Sequence, residues 1–205
     1  MDLDRQNHAR LEFWFDFGST YSYLSAMRID DLAGKAGVEV TWIPFLLGPI
    51  LAKWGWQTSP FNLFPSKGRY MWRDVERLAI AYGLPFHRPA TFPQFALTAT
   101  RVAMAAAEES WLPAFCRAVF VREFGEGGEI TSDADVTGLL RAIGIGPEPW
   151  LAAARESVVK EALRERVSTG EKRGIFGAPS FVAADGELFW GNDRLEPALA
   201  HAART

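Results

Sequence analysis

The stretch FWFDFGSTYSYLSAMRI, residues 13–29, decides the fold. An aromatic apolar run ends at Phe17, a Gly-Ser-Thr turn follows, and a helical pattern of apolar residues begins at once. A short buried strand that leads directly into a helix is typical of the start of a βαβ unit. We therefore expect Ser19 and Ser22 to lie at the first turn of a helix that leaves a sheet, which is where sheets of this kind bind ligands.

The segments on either side of this turn extend the pattern. Residues 11–17 predict a buried strand, residues 21–37 a helix that ends at a glycine, and residues 38–45 a second strand that ends at Pro44. The order strand, helix, strand predicts a right-handed βαβ unit with parallel strands.

The C-terminal part of the chain returns to strands after a long helical region. Residues 179–184 and 187–190 predict two strands joined by an Asp-Gly hairpin turn, and residues 193–203 predict a closing helix. Residues 46–65 predict a loop with one helical turn. Helical patterns follow in five segments: 66–83, 93–110, 111–125, 132–144 and 148–170.

Joining the two ends of the chain places βαβ and ββα on one mixed sheet, which is the thioredoxin fold. The sequence thus predicts an α/β protein with a thioredoxin-like domain made of residues 11–65 and 171–205. The helical segments between them predict an all-helical insertion domain of residues 66–170.

Length, composition, net charge and cysteine count exclude several classes of protein. The 205 residues suit one domain or one domain with a large insertion, and 48% hydrophobic residues support a substantial core. The net charge of −3 lacks the basic excess of a nucleic-acid-binding protein. We expect no signal peptide and no membrane span. A single cysteine excludes an internal disulfide, and a cytoplasmic location fits these features.

Ser19 and Ser22 occupy the positions where redox proteins of the thioredoxin fold carry their C-x-x-C cysteines. Serines exclude disulfide exchange at this site. They do not exclude binding of another molecule's thiolate, because a hydroxyl at a helix N-terminus can donate a hydrogen bond to an anion. The alternative interpretation is that Ser19 or Thr20 simply caps the helix.

A second informative stretch is GIFGAPSFVAADGELFWGNDRL, residues 174–195. Pro179 comes immediately before a strand with an interior pattern, where a proline removes a ladder donor. The fold places the Ala178–Pro179 bond opposite the Ser19 turn, so this bond is a candidate cis peptide, and Ala178 offers backbone groups to a peptide-like ligand. Asp193 either binds a ligand's α-amino group or caps the last helix.

Two other residue types predict no chemistry. Cys116 lies within an apolar helical segment, and we interpret it as a packing residue. The histidines at 8, 87 and 201 are scattered without metal-ligand spacing, so no metal site is expected.

The segments FDFGSTYSYL, GIFGAPSFV and FWGNDRL together resemble the 2-hydroxychromene-2-carboxylate isomerases. That family belongs with the kappa-class glutathione transferases and shares a DsbA-like thioredoxin fold with a helical insertion. The segments WIPFLLGPI and PSKGRYMWRDVERLA, followed by GLPF, are also similar to the family. The resemblance therefore spans nearly the whole chain in the right order and spacing.

The resemblance implies that Ser19 is the catalytic serine, with Thr20 standing where the family pattern has proline. Glutathione contacts carried over from the family fall on six residues: Ala178, Pro179, Asn192, Asp193, Lys67 and Asn62. Of these, Asn62 matches the family least well, because the spacing between it and Lys67 varies. Five aromatic residues either line an apolar substrate slot or pack in the core: Trp42, Trp54, Trp56, Phe61 and Trp72.

The resemblance implies a glutathione-dependent cis-trans isomerase that acts on aromatic ring-cleavage intermediates by reversible thiolate addition, as part of aromatic compound catabolism. Its partners would be glutathione and a small aromatic acid, and a homodimer is implied. Two alternatives stay open: a kappa-like glutathione transferase or peroxidase, and a non-catalytic DsbA-like protein that binds peptides or partners.

Overall fold

A computed structural model of the chain describes residues 9–205. Four strands form one mixed sheet in the order β2-β1-β3-β4. Strand β1 (Ala9–Phe15) pairs in parallel with β2 (Val38–Pro44) and antiparallel with β3 (Ser180–Ala183), which pairs antiparallel with β4 (Leu188–Trp190). This arrangement confirms the predicted thioredoxin fold.

The helices, in chain order, are α1 (Thr20–Ala26), α2 (Ile29–Ala36), α3 (Gly48–Lys53), α4 (Pro60–Leu63), α5 (Pro65–Tyr82), α6 (Leu97–Ala105), α7 (Leu112–Phe120), α8 (Asp133–Ala142), α9 (Glu148–Ala153), α10 (Ser157–Lys172) and α11 (Leu195–Ala202). A π-helical turn, Val121–Gly125, extends α7, and a 3₁₀ turn, Asn192–Arg194, precedes α11. The helices from α3 to α10 lie between β2 and β3 in the chain. A division into two domains at residues 66 and 170 stays a prediction.

The two faces of the sheet bury different parts of the core. Phe13 and Phe15 of β1 pack against Trp42 and Phe181 on the face that carries α1, α2, α7 and α11. Trp14 faces the other way, against Phe45 and the helices α3 and α10. Alternation along β1 therefore places aromatic rings on both faces, which is how one apolar strand becomes the centre of the sheet.

Two glycines and a capping box lie where helices or strands begin or end. Gly83, which follows α5, and Gly186, in the hairpin between β3 and β4, have φ angles of 67° and 90°. That region of backbone conformation favours glycine, because side chains with a Cβ rarely adopt it. Ser132 and Asp135 form a capping box at the start of α8.

Several predicted segments were too long. The helix predicted over 21–37 is two helices, because Arg28 leaves the helical conformation with φ −121° and ψ −22°. The helix predicted over 148–170 is also two, since Glu156 is extended with ψ 145°. Residues 46–65 contain the two short helices α3 and α4. A pattern of apolar residues continues through such single-residue breaks, so it does not reveal them.

None of the helices in residues 9–205 combines the length and the apolar character that a bilayer span requires.

Candidate active site

Ser19 lies at the point where β1 gives way to α1. It is the N-cap of α1, and its Oγ accepts the Ser22 N–H at 3.1 Å. The same hydroxyl donates to the Ala178 carbonyl at 2.9 Å, across 159 positions of the chain. The fold therefore brings the two stretches that the sequence singled out into direct contact. Ser19 is half-buried, and these two hydrogen bonds hold its oxygen in place.

The half-buried carboxylate of Asp16 holds the Ser19 turn in place. The two carboxylate oxygens of Asp16 accept the Gly18 N–H at 2.9 Å and the Leu47 N–H at 2.7 Å, which ties the end of β1 to the start of α3. Burial raises the pKa of Asp16, and the hydrogen bonds from the Leu47 and Gly18 N–H groups oppose this rise. A Cβ at Gly18 would come within 3.2 Å of the Gln94 carbonyl, so the turn has little room for a side chain.

Thr20 is the first residue of α1 and is buried. Its hydroxyl donates to the Met71 sulfur at 3.3 Å on α5. The helix still begins at residue 20 with Ser19 as its cap. Thr20 thus fits the first helical position, which proline also suits.

The Ala178–Pro179 peptide bond is cis, as the sequence analysis anticipated. The Pro179 carbonyl accepts the Gly191 N–H at 3.0 Å, and the Ser180 hydroxyl donates to the Gly177 carbonyl at 2.8 Å. These bonds connect the turn that faces Ser19 to the segment that carries Asn192 and Asp193.

Asn192 is buried, and protein groups occupy its amide. Its Oδ1 accepts the Ser25 hydroxyl at 3.0 Å and an Arg28 N–H at 3.4 Å, and its Nδ2 donates to the Tyr82 oxygen at 3.3 Å. The guanidinium of Arg28 also lies 3.8 Å from the Tyr82 ring centroid and pairs with Glu196. The side chain of Asn192 therefore fixes the position of the 191–193 segment, with its Oδ1 engaged by two donors and its Nδ2 donating one hydrogen bond.

Asp193 is exposed, with its carboxylate 2.8 Å from an Arg194 guanidinium nitrogen. Its charge acts on Tyr21, which stands two residues after Ser19. Burial and the hydrogen bond to Asp74, 2.9 Å long, raise the pKa of Tyr21, and Asp193 adds to that rise. Tyr21 is a residue that the sequence analysis did not single out. Its position immediately after the Ser19 turn could have indicated that Tyr21 lies near the site.

Lys67 and Asn62 lie on the neighbouring helices α5 and α4. Lys67 is exposed on the first turn of α5, with Nζ 5.0 Å from the Phe64 ring centroid, and it has no carboxylate partner within residues 9–205. Asn62 is exposed, but its Nδ2 already donates to the Thr58 hydroxyl at 3.1 Å and to the Phe92 carbonyl at 2.9 Å. Lys67 thus has a free charge to offer, whereas the amide nitrogen of Asn62 is engaged.

The chain matches the DSBA-like thioredoxin domain over residues 10–202. It belongs to the DSBA-like thioredoxin family. The 2-hydroxychromene-2-carboxylate isomerase of Sphingobium xenophagum is 28% identical over 187 residues, which is 91% of this chain and 94% of that protein. Glutathione S-transferase kappa 1 of Caenorhabditis elegans is 27% identical over 199 residues, or 90% and 87% of the two chains.

Solved structures agree with the fold of this DSBA-like domain. A structure of 2-hydroxychromene-2-carboxylate isomerase has a TM-score of 0.84 at 24% identity and covers 95% of both chains. The relatives found by sequence are thus isomerases and glutathione transferases, and the resemblance noted in the sequence is confirmed at the level of the family.

The predicted aromatic slot of this DSBA-like domain divides into two groups. Trp54, Trp56 and Phe64 form an open cluster with ring centroids 6.1 and 6.2 Å apart, in which Trp54 is 53% exposed. The ring centroid of Phe61 lies 6.4 Å from that of Tyr21 on α1.

Trp42 and Trp72 are packed elsewhere. Trp42 is 5% exposed and sits in the core against Phe13 and Phe15, so its assignment to an open slot is wrong. Trp72 is half-buried, with its ring centroid 4.7 Å from that of Phe92. The sequence did not show that Trp42 belongs to the core, because an alternating strand places its aromatic residues on either face.

Cys116 is fully buried in α7, and burial raises the pKa of its thiol, which confirms its interpretation as a packing residue. Within residues 9–205, no three His, Cys, Asp or Glu side chains come together as metal ligands.

Glu123 is a buried carboxyl that the sequence analysis missed. It lies in the π-helical turn, next to Phe124, whose ring is 5.9 Å from that of Tyr23 on α1. Neither of its carboxyl oxygens has a hydrogen-bond partner in the described chain. Burial raises the pKa of Glu123 well above 4.5, and the nearby charges of Asp16 and Glu129 raise it further, while the nearby backbone N–H of Gln94 opposes this rise.

Glu123→Gln is expected to change how stability depends on pH. Because the folded state resists ionisation of Glu123, the wild type should lose stability as the pH rises above about 4.5, by at most about 1.4 kcal/mol per pH unit. Glutamine cannot ionise, so the variant should lose less between pH 5 and pH 8. Urea unfolding across this range measures the difference. Glu126→Gln, on the same turn but exposed, is the control and should follow the wild type; parallel profiles for all three proteins would contradict the assignment.

Proposed function

We propose that this protein is a glutathione-dependent cis-trans isomerase of the 2-hydroxychromene-2-carboxylate isomerase type, acting on aromatic ring-cleavage intermediates. The observation that carries the proposal is the Ser19 hydroxyl, which is fixed by the Ser22 N–H and directed at the Ala178 carbonyl. The named relatives with this activity support it.

The residues around Ser19 fit glutathione. Asp193 offers an exposed carboxylate for an ammonium group, and Lys67 offers an exposed ammonium for a carboxylate. The backbone of Ala178, beside Pro179, offers groups that pair with a peptide bond. Asn192 would act indirectly, by holding Asp193 in place. Asn62 fits less well, because its amide nitrogen is already engaged.

Ser19 has the central chemical role in this proposal. The hydrogen bond from the Ser22 N–H holds the Ser19 oxygen in place. When a ligand's N–H donates to the Ala178 carbonyl instead, the Ser19 hydroxyl can rotate and donate its proton to a sulfur. Donation to sulfur favours the thiolate over the thiol. When bound, glutathione supplies a thiolate that adds reversibly to an activated double bond, so that the bond can rotate before the thiolate leaves. The open cluster of Trp54, Trp56 and Phe64 offers an apolar surface for an aromatic substrate.

The relatives also favour a second candidate, a kappa-like glutathione transferase or peroxidase, because the same Ser19 site would serve both activities. A third, a protein that only binds peptides, would use Ala178 without any chemistry at Ser19. A homodimer in the cytoplasm stays a prediction.

Calorimetric titration of glutathione into the purified protein tests the proposal, together with an assay on benzylidenepyruvate, an aromatic α-keto acid. We expect one glutathione bound per chain, and isomerisation that leaves the glutathione concentration unchanged. Consumption of glutathione during turnover would favour the transferase. Absence of glutathione binding would exclude both enzymes.

A further inference from the structure

A cleft whose lining does not include Ser19 lies between α3, α6 and α10. Its volume is about 360 Å³, which is within the range of small-molecule sites. Its apolar lining consists of Leu46, Pro49, Leu97, Leu163 and Val167. Leu163 is 4% exposed, whereas the leucines at 46 and 97 are half-buried, so the lining is a concave floor rather than a scatter of surface side chains.

The charges around this floor are mainly positive. Lys53, Arg101, Lys160 and Arg164 line the cleft with one carboxylate, Glu171. Two of the four cations are neutralised, because Lys53 pairs with Glu171, and Arg164 pairs with a glutamate on its own helix. The excess is local, since the whole chain has a net charge of −3.

Arg101 and Lys160 remain without a carboxylate partner among residues 9–205. Arg101 lies on α6 and Lys160 on α10, so the two cations approach the cleft from different helices. The Nε of Arg101 is buried and has no hydrogen-bond acceptor in the described chain. A buried N–H donor without a partner is costly. Arg101 also lines the cleft, so its guanidinium is placed beside an anion bound there.

We propose that this cleft binds an organic anion with an apolar body, such as an aromatic carboxylate. The apolar floor takes the body, and Arg101 and Lys160 bind the anionic group. Arginine suits this role because its guanidinium binds a carboxylate through directed N–H donors.

The cleft is built from segments that also brace the Ser19 turn. Leu46 precedes Leu47, whose N–H binds Asp16. Leu97 starts the helix that follows Gln94, whose carbonyl oxygen lies 3.2 Å from the place that a Cβ on Gly18 would take. The anion has two possible sources: the aromatic acid of the proposed reaction, or an unrelated organic anion. The proposal itself does not depend on glutathione or on Ser19.

Fluorescence titration with anilinonaphthalene sulfonate, which has aromatic rings and one anionic group, tests the proposal. We expect Arg101→Gln to weaken binding at least about tenfold through loss of a charge-assisted hydrogen bond, and Lys160→Gln to weaken it as well. Arg204→Gln removes the same charge from an exposed site outside the cleft and is the control. Ser19→Ala should bind the probe like the wild type, which separates this site from the glutathione site.

Phenylnaphthylamine, which has the same rings without the sulfonate, should bind equally well to the wild type and to Arg101→Gln. Absence of sulfonate binding to the wild type, or equal affinity in the wild type, Arg101→Gln and Lys160→Gln, would overturn the proposal. Displacement of the cleft-bound probe by benzylidenepyruvate would identify the acid of the proposed reaction as the occupant. Retention of the probe, with its dependence on Arg101 intact, would support an unrelated organic anion.

Discussion

Ser19→Ala is expected to lower kcat for isomerisation by about 10²-fold to 10³-fold, the usual effect of removing one hydrogen-bond donor to a reacting anion. The reason is that the Ser19 hydroxyl is the proposed donor to the glutathione sulfur. In the structure this hydroxyl lies between β1 and α1 and donates to the Ala178 carbonyl at 2.9 Å. The substitution also removes an N-cap, which should lower the free energy of unfolding by about 1 kcal/mol. Steady-state kinetics with saturating glutathione and urea unfolding measure the two effects separately.

Ser22→Ala is the matched control for this variant. Ser22 lies one turn along the same helix, and its buried Oγ has no hydrogen-bond partner in the described chain. Its role toward Ser19 is carried by its backbone N–H, which alanine keeps. We therefore expect Ser22→Ala to retain nearly wild-type kcat. Equal activity of Ser19→Ala and the wild type would show that Ser19 only caps the helix.

Asn192→Ala is expected to be the most destabilising of these substitutions, by about 2–4 kcal/mol. Its amide joins three elements, because Oδ1 binds Ser25 and Arg28, and Nδ2 binds Tyr82. Alanine would leave these groups buried without their partner. The 191–193 segment would also lose its anchor, so glutathione affinity should fall through displacement of Asp193. Urea unfolding and calorimetry measure the two effects.

Asn62→Ala is the matched control, since the Asn62 side chain makes two hydrogen bonds but is exposed. Water can replace those bonds, so we expect a loss below about 1 kcal/mol. Asn192→Asp keeps an acceptor for Arg28 and should recover part of the stability. Similar losses for alanine at positions 192 and 62 would refute the anchoring role of Asn192.

The parts of the fold that depend on local sequence were predictable. The aromatic run to Phe17 followed by Gly-Ser-Thr predicted the strand, the turn and the helix start, and Pro179 predicted a special peptide bond at the facing turn. These features follow from neighbouring residues and from the order of elements. The contact between Ser19 and Ala178 followed once the thioredoxin topology was assigned.

The roles that depend on several distant elements were not predictable. The amide of Asn192 binds partners from α1, the α1–α2 junction and α5, and no local pattern shows that it joins these three elements. Glu123 looks like an ordinary helical glutamate until the fold buries it near Asp16. Trp42 belongs to the core because of the face of β2 on which it lies, and that face is set by the packing of α1 and α2.

The pH dependence of thiolate absorbance in the glutathione complex tests directly whether Ser19 stabilises the glutathione thiolate. If Ser19 stabilises the thiolate, the sulfur in the wild-type complex should ionise at clearly lower pH than free glutathione, and the Ser19→Ala complex should ionise at higher pH than the wild-type complex. The same ionisation pH in the wild-type and Ser19→Ala complexes would contradict the account, and Ser19 would then be only the cap of α1.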